Sequence, residues 1–447
     1  MQKNKKIITL LLTATILSTG FTACGKNSEE AAKPYVQPEM KGEITVSVYQ
    51  SEEWLEMAVQ MFEDKYPDMK VKVEPFYTGV DTFVVEGGGA SMIDRPAGQE
   101  KEDYAAWLNT QLLSGNAGDI VITSEGLAVE KYESMGVFED LSPYLDSAEE
   151  INGEGYYMNI FDAYRTESGA LYQFPVSAMA SPLFLFDKEI VEETGRLSEI
   201  EGKSLTWREA LTLAEEMYDA SSLPGKGLPE AWSLLGNIFT KEVISSVDYT
   251  NGQVKLRDKE MLEIMEALDE FGYYIPYVWD EYGNNFRVFG LDYTPDTLAA
   301  SMVLDGEYVA AQWMQSDGLV HLSPYFTKDF GINSRSENKA LAWEFLKFLL
   351  SDEVQTLPSF PWAGINKNGL QARVDAYCDG YEGLKDKPGE MLKLIDSWLS
   401  PVNGYRSEDT DLIQVGDAVL ASFMDGSLTA EEAVKEAEFR LQQYLSE

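Results

Sequence analysis

A strand–helix–strand pattern near the start of the chain is the feature that most limits its fold. The segment EITVSVY, residues 43–49, alternates apolar and polar side chains, as a half-buried strand does. Residues 51–68 then repeat apolar side chains at helical spacing, and Pro67 prevents the helix from continuing. The segment KVKVEPF, residues 70–76, alternates again. Two strands joined by one helix pair in parallel, so the pattern predicts a parallel sheet with helices packed against it.

The alternation of strands and helices continues to the end of the chain. Thr206 with Glu209, and Thr429 with Glu432, have the spacing of a capping box and predict the starts of two helices. Asn251–Gly252 predicts a hairpin turn. The fold class is therefore α/β, with mixed or parallel sheets flanked by helices. Because 447 residues exceed one comfortable core, we expect two lobes.

The first residues are typical of an export signal. A basic start is followed by the apolar run 7–21, which is shorter than the roughly 20 residues that a bilayer-spanning helix needs. The small residue Ala23 comes next, and Cys24 follows it. This arrangement resembles a bacterial lipoprotein signal, with residues 1–23 removed and Cys24 lipidated. The polar stretch 24–41 then forms a tether to the membrane. The alternative is an ordinary secretory signal beside an incidental cysteine.

Composition excludes several classes of function. The chain holds one histidine, His321, and only Cys378 besides Cys24, so zinc clusters and Ser–His or Cys–His catalysis are not expected. No cofactor is expected, and no metal, because Asp280–Glu281 lacks the spacing of a calcium loop. The net charge of −41 repels nucleic acid, so nucleic acid is excluded as a partner.

Six stretches of the sequence together resemble a known family. They occur in the family's order between residues 43 and 445, and they are EEWLEMAVQMFEDKYPDMKVKVEPF, WLNTQLLSGNAGDIVI, SGALYQFPVSAMASPLFLFDKEI, SLTWREALTLAEEM, LDGEYVAAQWM and SRSENKALAWEFLKFLLSDEVQ. They resemble the extracellular solute-binding proteins of carbohydrate ABC importers, the maltose-binding-protein-like family 1.

The resemblance implies a type II periplasmic-binding-protein-like fold, with two α/β lobes and a hinge between them. The expected lobes are residues 42–178 plus 310–333 and residues 179–309 plus 334–447, and the insertion at 78–100 has no expected place. The resemblance also implies a monomeric receptor, not an enzyme, that is lipid-anchored at the extracellular face of the cell membrane. Such a receptor captures a sugar or oligosaccharide between the lobes and delivers it to the permease subunits of an ABC transporter.

Candidate binding residues follow from strand order and ligand chemistry. Ligands of doubly wound sheets bind beyond the carboxyl ends of the strands. Sugars need flat aromatic rings and a few polar groups. We therefore expect ligand contacts from Gln50, Ser51, Glu52, Ser124, Glu125, Ser177, Met179, Trp232, Asn237, Trp279, Asp280, Glu281, Trp313 and Trp362. Trp313 is the leading candidate because it lies at a chain crossing, whereas Trp54 and Trp343 lie in amphipathic helices and are expected in the core. Core packing is the alternative for each candidate tryptophan.

Two other functions stay open at this point. The acidic charge is compatible with a binding protein of the same fold for a cationic or peptide solute. An anchored glycoside hydrolase would also use acidic and aromatic residues, but it needs two carboxylates at a fixed separation. No local pattern in the sequence proposes that pair. Stabilisation by sugars or only by cationic compounds separates the first two functions, and release of reducing ends would indicate the hydrolase.

Overall fold

The structure is a computed structural model of the 447-residue chain, and it describes most of the chain after residue 34. The described residues are 35–77, 84–86, 89–91, 99–133, 135–179, 183–221, 231–271, 286–288, 295–304, 306–323, 327–361 and 363–446. Tyr35–Glu447 forms one compact unit. Within the described ranges, no helix combines the length and the apolar character that crossing a bilayer requires.

Strands and helices alternate along this unit as the sequence predicts. The strands are β1 (Gly42–Gln50), β2 (Met69–Tyr77), β3 (Val84–Glu86), β4 (Gly89–Ser91), β5 (Ile120–Ile122), β6 (Phe174–Ser177), β7 (Leu183–Asp187), β8 (Ser204–Leu205), β9 (Val247–Asp248), β10 (Gln253–Val254), β11 (Phe286–Val288), β12 (Tyr308–Trp313) and β13 (Lys328–Ile332). The helices are α1 (Glu53–Lys65), α2 (Gln99–Ser114), α3 (Val129–Glu133), α4 (Ser142–Ser147), α5 (Met158–Ala163), α6 (Lys188–Thr194), α7 (Leu197–Ile200), α8 (Trp207–Ala220), α9 (Ala231–Ser245), α10 (Asp258–Phe271), α11 (Pro295–Leu304), α12 (Lys339–Leu349), α13 (Asp352–Gln355), α14 (Lys367–Asp379), α15 (Pro388–Leu399), α16 (Thr410–Met424) and α17 (Ala430–Ser446).

The first sheet has the strand order β2-β1-β5-β13-β6. Strand β1 pairs in parallel with β2 and with β5, so Val46 lies opposite both Val73 and Ile120. The predicted strand–helix–strand unit is therefore confirmed. Strand β13 runs antiparallel to both β5 and β6. Consequently the carboxyl ends of β1, β5 and β6 lie at the same edge of the sheet as the first residue of β13.

The second sheet has the order β11-β7-β12-β8. Strand β7 is antiparallel to β11 and β12, and β12 is parallel to β8. Each sheet has its own apolar core. In the first core, Phe62 of α1 packs against Phe345 and Phe348 of α12. In the second core, Trp313 packs beside Phe184. Two sheets with two cores give the two-lobed fold that was expected.

The predicted division into lobes differs from the core membership in several elements, because residues of α11 and of α12 to α15, all expected in the second lobe, belong to the first core. Helix α12 was expected in the second lobe, but its Trp343 packs edge-on against Phe174 of the first sheet. Strand β12 was expected in the first lobe, but it pairs with β7 and β8 of the second sheet. An amphipathic pattern shows which face of an element is apolar, whereas the choice of sheet depends on the shape of the opposing core.

Three stretches of the described chain lie side by side where it passes between the lobes. They follow β6, precede β13 and follow α15. The Ser323 amide donates to the Met179 carbonyl at 2.8 Å, and the Leu322 amide donates to the Gly404 carbonyl at 3.0 Å. A Cβ on Gly404 would lie 2.9 Å from His321 Nε2, so only glycine allows this close approach. Since β6 ends and β13 begins at these crossings, this edge of the first sheet faces the second lobe.

Candidate functional site

Three charged side chains meet at the edge of the first sheet that faces the crossings. Glu52 is the second residue after β1 and comes directly after Ser51. Glu125 follows β5, and Lys328 is the first residue of β13. The Lys328 Nζ lies 2.6 Å from Glu52 Oε1 and 2.9 Å from Glu125 Oε1. The side chain of Glu52 is 36% exposed, while those of Lys328 and Glu125 are 17% and 10% exposed. We call these three residues the edge triad, and Glu52 is its most accessible member.

The two carboxylates hold the lysine in its charged form. Burial lowers the pKa of Lys328, but the charges and hydrogen bonds of Glu125 and Glu52 outweigh burial, so its pKa is raised above the ordinary value. Lys328 therefore carries its proton at neutral pH. Glu52 Oε2 also accepts a hydrogen bond from Trp54 Nε1 at 2.8 Å. Trp54 is 2% exposed, as expected for a core residue, so it fixes the Glu52 carboxylate from inside the lobe.

Two predicted serines hold the backbone of β13 at this edge. The Ser177 Oγ accepts from the Lys328 amide at 3.0 Å, and the Ser124 Oγ accepts from the Asp329 amide at 3.4 Å. Both serines are buried, at 0% and 5% exposed. Their hydroxyls therefore position the lysine backbone in this structure.

The other predicted residues of the first lobe lie around the triad with different surroundings. Gln50 is exposed at the end of β1. The Ser51 Oγ donates to Glu56 Oε1 at 2.7 Å, so it faces the start of α1. Met179 is 5% exposed, and its carbonyl accepts the hydrogen bond from the Ser323 amide at the crossing. The structure thus brings Glu52, Ser124, Glu125 and Ser177 together around Lys328, with Gln50 and Ser51 beside them.

Lys328 was missed by the sequence reasoning for a topological reason. Ligands bind at the carboxyl ends of parallel strands, so the expected contacts are residues that follow strands. Strand β13 is antiparallel to its neighbours, so its first residue occupies this edge. The signal in the sequence was the lysine that opens the segment KDFGI after the returning crossing.

Aromatic rings also lie near the triad. Tyr49 stacks nearly parallel to Tyr77, with ring centroids 6.2 Å apart, and meets Tyr104 edge-on. Burial and then the charge of Glu125 raise the pKa of Tyr104 well above its ordinary value. Tyr104 therefore lies close to Glu125. Tyr49 and Tyr77 are half-buried, so parts of both rings remain accessible.

The other half of this edge is covered by the third crossing. The Ser407 amide donates to Glu130 Oε1 at 2.9 Å, and the Ser407 Oγ donates to Gln173 Oε1 at 3.2 Å. Tyr405 donates to Asp329 Oδ2 at 2.7 Å, and Tyr164 donates to Oδ1 at 2.7 Å. The chain itself therefore satisfies the polar groups next to Asp329, and the edge triad forms the remaining part of the edge.

The remaining predicted residues fall into three groups. Trp313 is 2% exposed within the second core, so in this structure its ring packs against protein, which differs from the expected ligand-stacking position. Asn237 is exposed on α9, and Trp232 belongs to the first turn of the same helix. Four candidates lie outside the described residues, as does the lipidation candidate Cys24: Trp279, Asp280, Glu281 and Trp362.

Comparison with known proteins decides the family. A family profile described as bacterial extracellular solute-binding protein matches residues 97–356, which is more than half of the 447-residue chain. The chain belongs to this family. No curated protein sequence matches the chain. The resemblance stated from the sequence is thus confirmed at the level of the family.

Solved structures of such solute-binding proteins share the fold at low identity. A family 1 extracellular solute-binding protein from Alicyclobacillus acidocaldarius has 14% identity and a TM-score of 0.55, covering 92% of this chain and 100% of the other. The sugar-binding protein MalE from Xanthomonas citri has 14% identity and a TM-score of 0.55, covering 91% and 98%. A periplasmic oligogalacturonide-binding protein from Yersinia enterocolitica has 14% identity and a TM-score of 0.55, covering 91% and 99%. These comparisons confirm the two-lobed fold.

The edge triad of this solute-binding protein suits binding. Both carboxylates are ion-paired with the same ammonium, whereas a glycoside hydrolase needs one protonated carboxyl group as its acid. Among the described residues, no three His, Cys, Asp or Glu side chains form a group that could hold a metal ion. What the triad offers is a fixed set of strong hydrogen-bond acceptors and one strong donor on a rigid lobe.

Proposed function

We propose that this protein captures a sugar or oligosaccharide between its lobes and delivers it to the permease subunits of an ABC importer. The observation that carries the proposal is the edge triad, where Glu52 Oε1 and Glu125 Oε1 lie 2.6 and 2.9 Å from the same lysine nitrogen. Sugar hydroxyls both donate and accept hydrogen bonds, so they match an array that presents carboxylates beside an ammonium. The half-buried rings of Tyr49 and Tyr77 add flat apolar surface for the sugar faces.

Capture requires movement of one lobe against the other. A ligand held by both lobes makes contacts in the closed form that the open form lacks, and this difference in affinity drives closure. The three adjacent crossings provide the hinge for that motion. Asn237 on α9 is the described second-lobe residue that we propose as a ligand contact, together with Trp232, Trp279, Asp280, Glu281 and Trp362.

Anchoring at the membrane completes the proposed function. We propose that Cys24 carries the lipid after removal of residues 1–23, and that the stretch between Cys24 and Tyr35, shorter than the expected tether 24–41, connects it to the folded unit, which begins at Tyr35. The monomeric receptor then stays at the extracellular face of the cell membrane, close to the permease. The apolar run 7–21 in front of Cys24 supports this placement.

A thermal-shift screen of oligosaccharides tests the proposed function. A ligand at 100 times its Kd stabilises a protein by about 2.7 kcal/mol, which a melting curve detects readily. We expect stabilisation by at least one oligosaccharide, and loss of about ten-fold or more in affinity in Glu125→Gln, because hydrogen bonds to charged groups contribute roughly 1.5–3 kcal/mol. Glu139→Gln is the matched control. Glu139 lies away from the sheet edge, and its carboxylate is 2.7 Å from the Lys339 ammonium.

Stabilisation only by peptides or polyamines would favour the cationic-ligand alternative, for which the net charge of −41 is the supporting observation.

A further inference from the structure

The edge triad compensates much of its own charge. Its ammonium lies within 3 Å of a carboxylate oxygen on two sides, from Glu52 and from Glu125. An ammonium has three N–H donors, so two are directed at carboxylates and one can be donated to a ligand oxygen. An acidic group on a ligand would meet a cation that is already paired, and it would approach two carboxylates of its own sign.

Further acidic groups lie in the described surroundings of the triad. After burial and Asp329, the charges of Glu130 and Glu408 raise the pKa of the nearby Tyr405. Burial and then the charge of Glu130 raise the pKa of Glu133, so these two carboxyl groups are close together. The described cations there have protein contacts of their own. Lys131 lies over the Tyr444 ring, the Arg406 guanidinium donates to the Val247 carbonyl, and burial lowers the pKa of Lys241. With 76 acidic and 35 basic residues in the chain, the field at this edge opposes an anion.

We propose that the triad selects an uncharged, hydroxyl-rich solute over the same solute carrying a carboxylate, and that Lys328 sets this selectivity by neutralising Glu52 and Glu125. This inference rests on the proposed function and names the charge class of its ligand. A hydroxyl donates to a carboxylate and accepts from the ammonium, so it needs no counter-charge. A carboxylate is repelled by the two glutamates, whose combined charge exceeds that of the one ammonium. Lys328 acts as a positioning residue because it holds both carboxylates at one point.

Charged derivatives of one ligand test the selectivity. The probe is the neutral oligosaccharide that gives the largest shift in the screen, with a primary hydroxyl oxidised to a carboxylate, and the uncharged primary amide of that carboxylate as the control for size. We expect the carboxylate to bind the purified protein at least ten-fold more weakly than its amide, and the difference to shrink at high salt. Equal or tighter binding of the carboxylate would overturn the inference.

Substitution of the lysine tests its role. In Lys328→Met the two carboxylates lose their counter-charge, so a 6-amino derivative should gain at least ten-fold in affinity relative to the neutral parent. Lys328→Arg should restore the preference of the native protein. Lys339→Met, which removes the lysine of the Lys339–Glu139 pair on the same lobe, should leave the preference unchanged. A loss of folding alone cannot produce this change of charge preference, and an unchanged preference in Lys328→Met would show that Lys328 does not set it.

The outcomes separate this inference from the proposed function. If an acidic oligosaccharide gives the tightest binding, the protein is still a sugar receptor and the inference on charge class is wrong. If no oligosaccharide binds and another class of solute does, the proposed function fails, and the inference fails with it.

Discussion

Lys131 of the first lobe lies over the ring of Tyr444 of the second lobe, with its ammonium 5.0 Å from the ring centroid and 3.4 Å from the phenol oxygen. Tyr444 donates its hydroxyl to Asp409 Oδ2 at 2.7 Å, and Tyr249 donates to the same oxygen. Asp409 also caps α16 by accepting from the Leu412 amide. This contact therefore connects α3 to a rigid part of the second lobe.

Removing this contact should weaken closure of the lobes. Cation–π contacts contribute roughly 0.5–1 kcal/mol at exposed sites, so we expect Lys131→Met to lower ligand affinity by about two- to five-fold. Small-angle scattering of the ligand-free protein should show a larger radius of gyration. Lys65→Met is the matched control, because Lys65 lies 5.2 Å from the centroid of the Phe348 ring within the first core. The same effect in both variants would mean that the contact between lobes contributes nothing to closure.

The raised pKa of Asp329 predicts that the free energy of unfolding falls as the pH rises. Burial raises its pKa to about 7, against the opposing hydrogen bonds of Tyr405 and Tyr164. The carboxyl group therefore keeps its proton in the folded state at pH values where the unfolded state, with its ordinary pKa of 3.8, has already released it. Stability from this group is complete below about pH 4 and is lost as the pH rises through 7.

Asp329→Asn should remove that pH dependence. We expect the free energy of unfolding of the native protein to fall between pH 5 and pH 8 by about 1 kcal/mol or more relative to the variant, since one pKa unit corresponds to about 1.4 kcal/mol. Urea unfolding at a series of pH values measures the difference. Parallel pH profiles for the two proteins would show that Asp329 does not titrate in this range.

Substitutions of Trp313 distinguish a core residue from a ligand contact. Because its side chain is 2% exposed within the second core, Trp313→Ala should destabilise the protein by about 3–5 kcal/mol. Trp313→Phe keeps much of the apolar volume, so it should cost less and leave ligand affinity within about two-fold. Denaturant unfolding and calorimetric titration measure the two effects. If the phenylalanine variant has normal stability but no longer binds ligand, Trp313 contacts the ligand.

Features that depend on neighbouring residues were predictable from the sequence. The capping box is an example, because the Thr206 amide donates to Glu209 Oε2 and the Glu209 amide donates to Thr206 Oγ1. The hairpin is another, with β9 and β10 antiparallel and Gly252 at φ 60°. The carboxyl-end rule also located Glu52 and Glu125, which the structure joins through Lys328.

Features that depend on distant partners were not predictable in the same way. Trp313 follows a strand at a crossing, yet its burial is decided by Phe184 and the rest of the second core. Helix α12 belongs to the first lobe because the ring of its Trp343 packs against Phe174. The role of Lys328 required knowing that β13 runs antiparallel to β5. Strand direction and core assignment are properties of the whole chain, so a local pattern does not contain them.

The two cysteines provide a direct test of the lipid anchor. Cys378 is 1% exposed within the first core, so it is protected from acylation in the folded protein. We expect Cys24→Ala to release the protein from the membrane fraction and to abolish incorporation of labelled palmitate. Cys378→Ala serves as the control, and it should retain both membrane association and label. Secretion of the unsubstituted protein into the medium without label would show that residues 1–23 act as an ordinary secretory signal. Cys24 would then be incidental, and the receptor would have to reach its permease by diffusion.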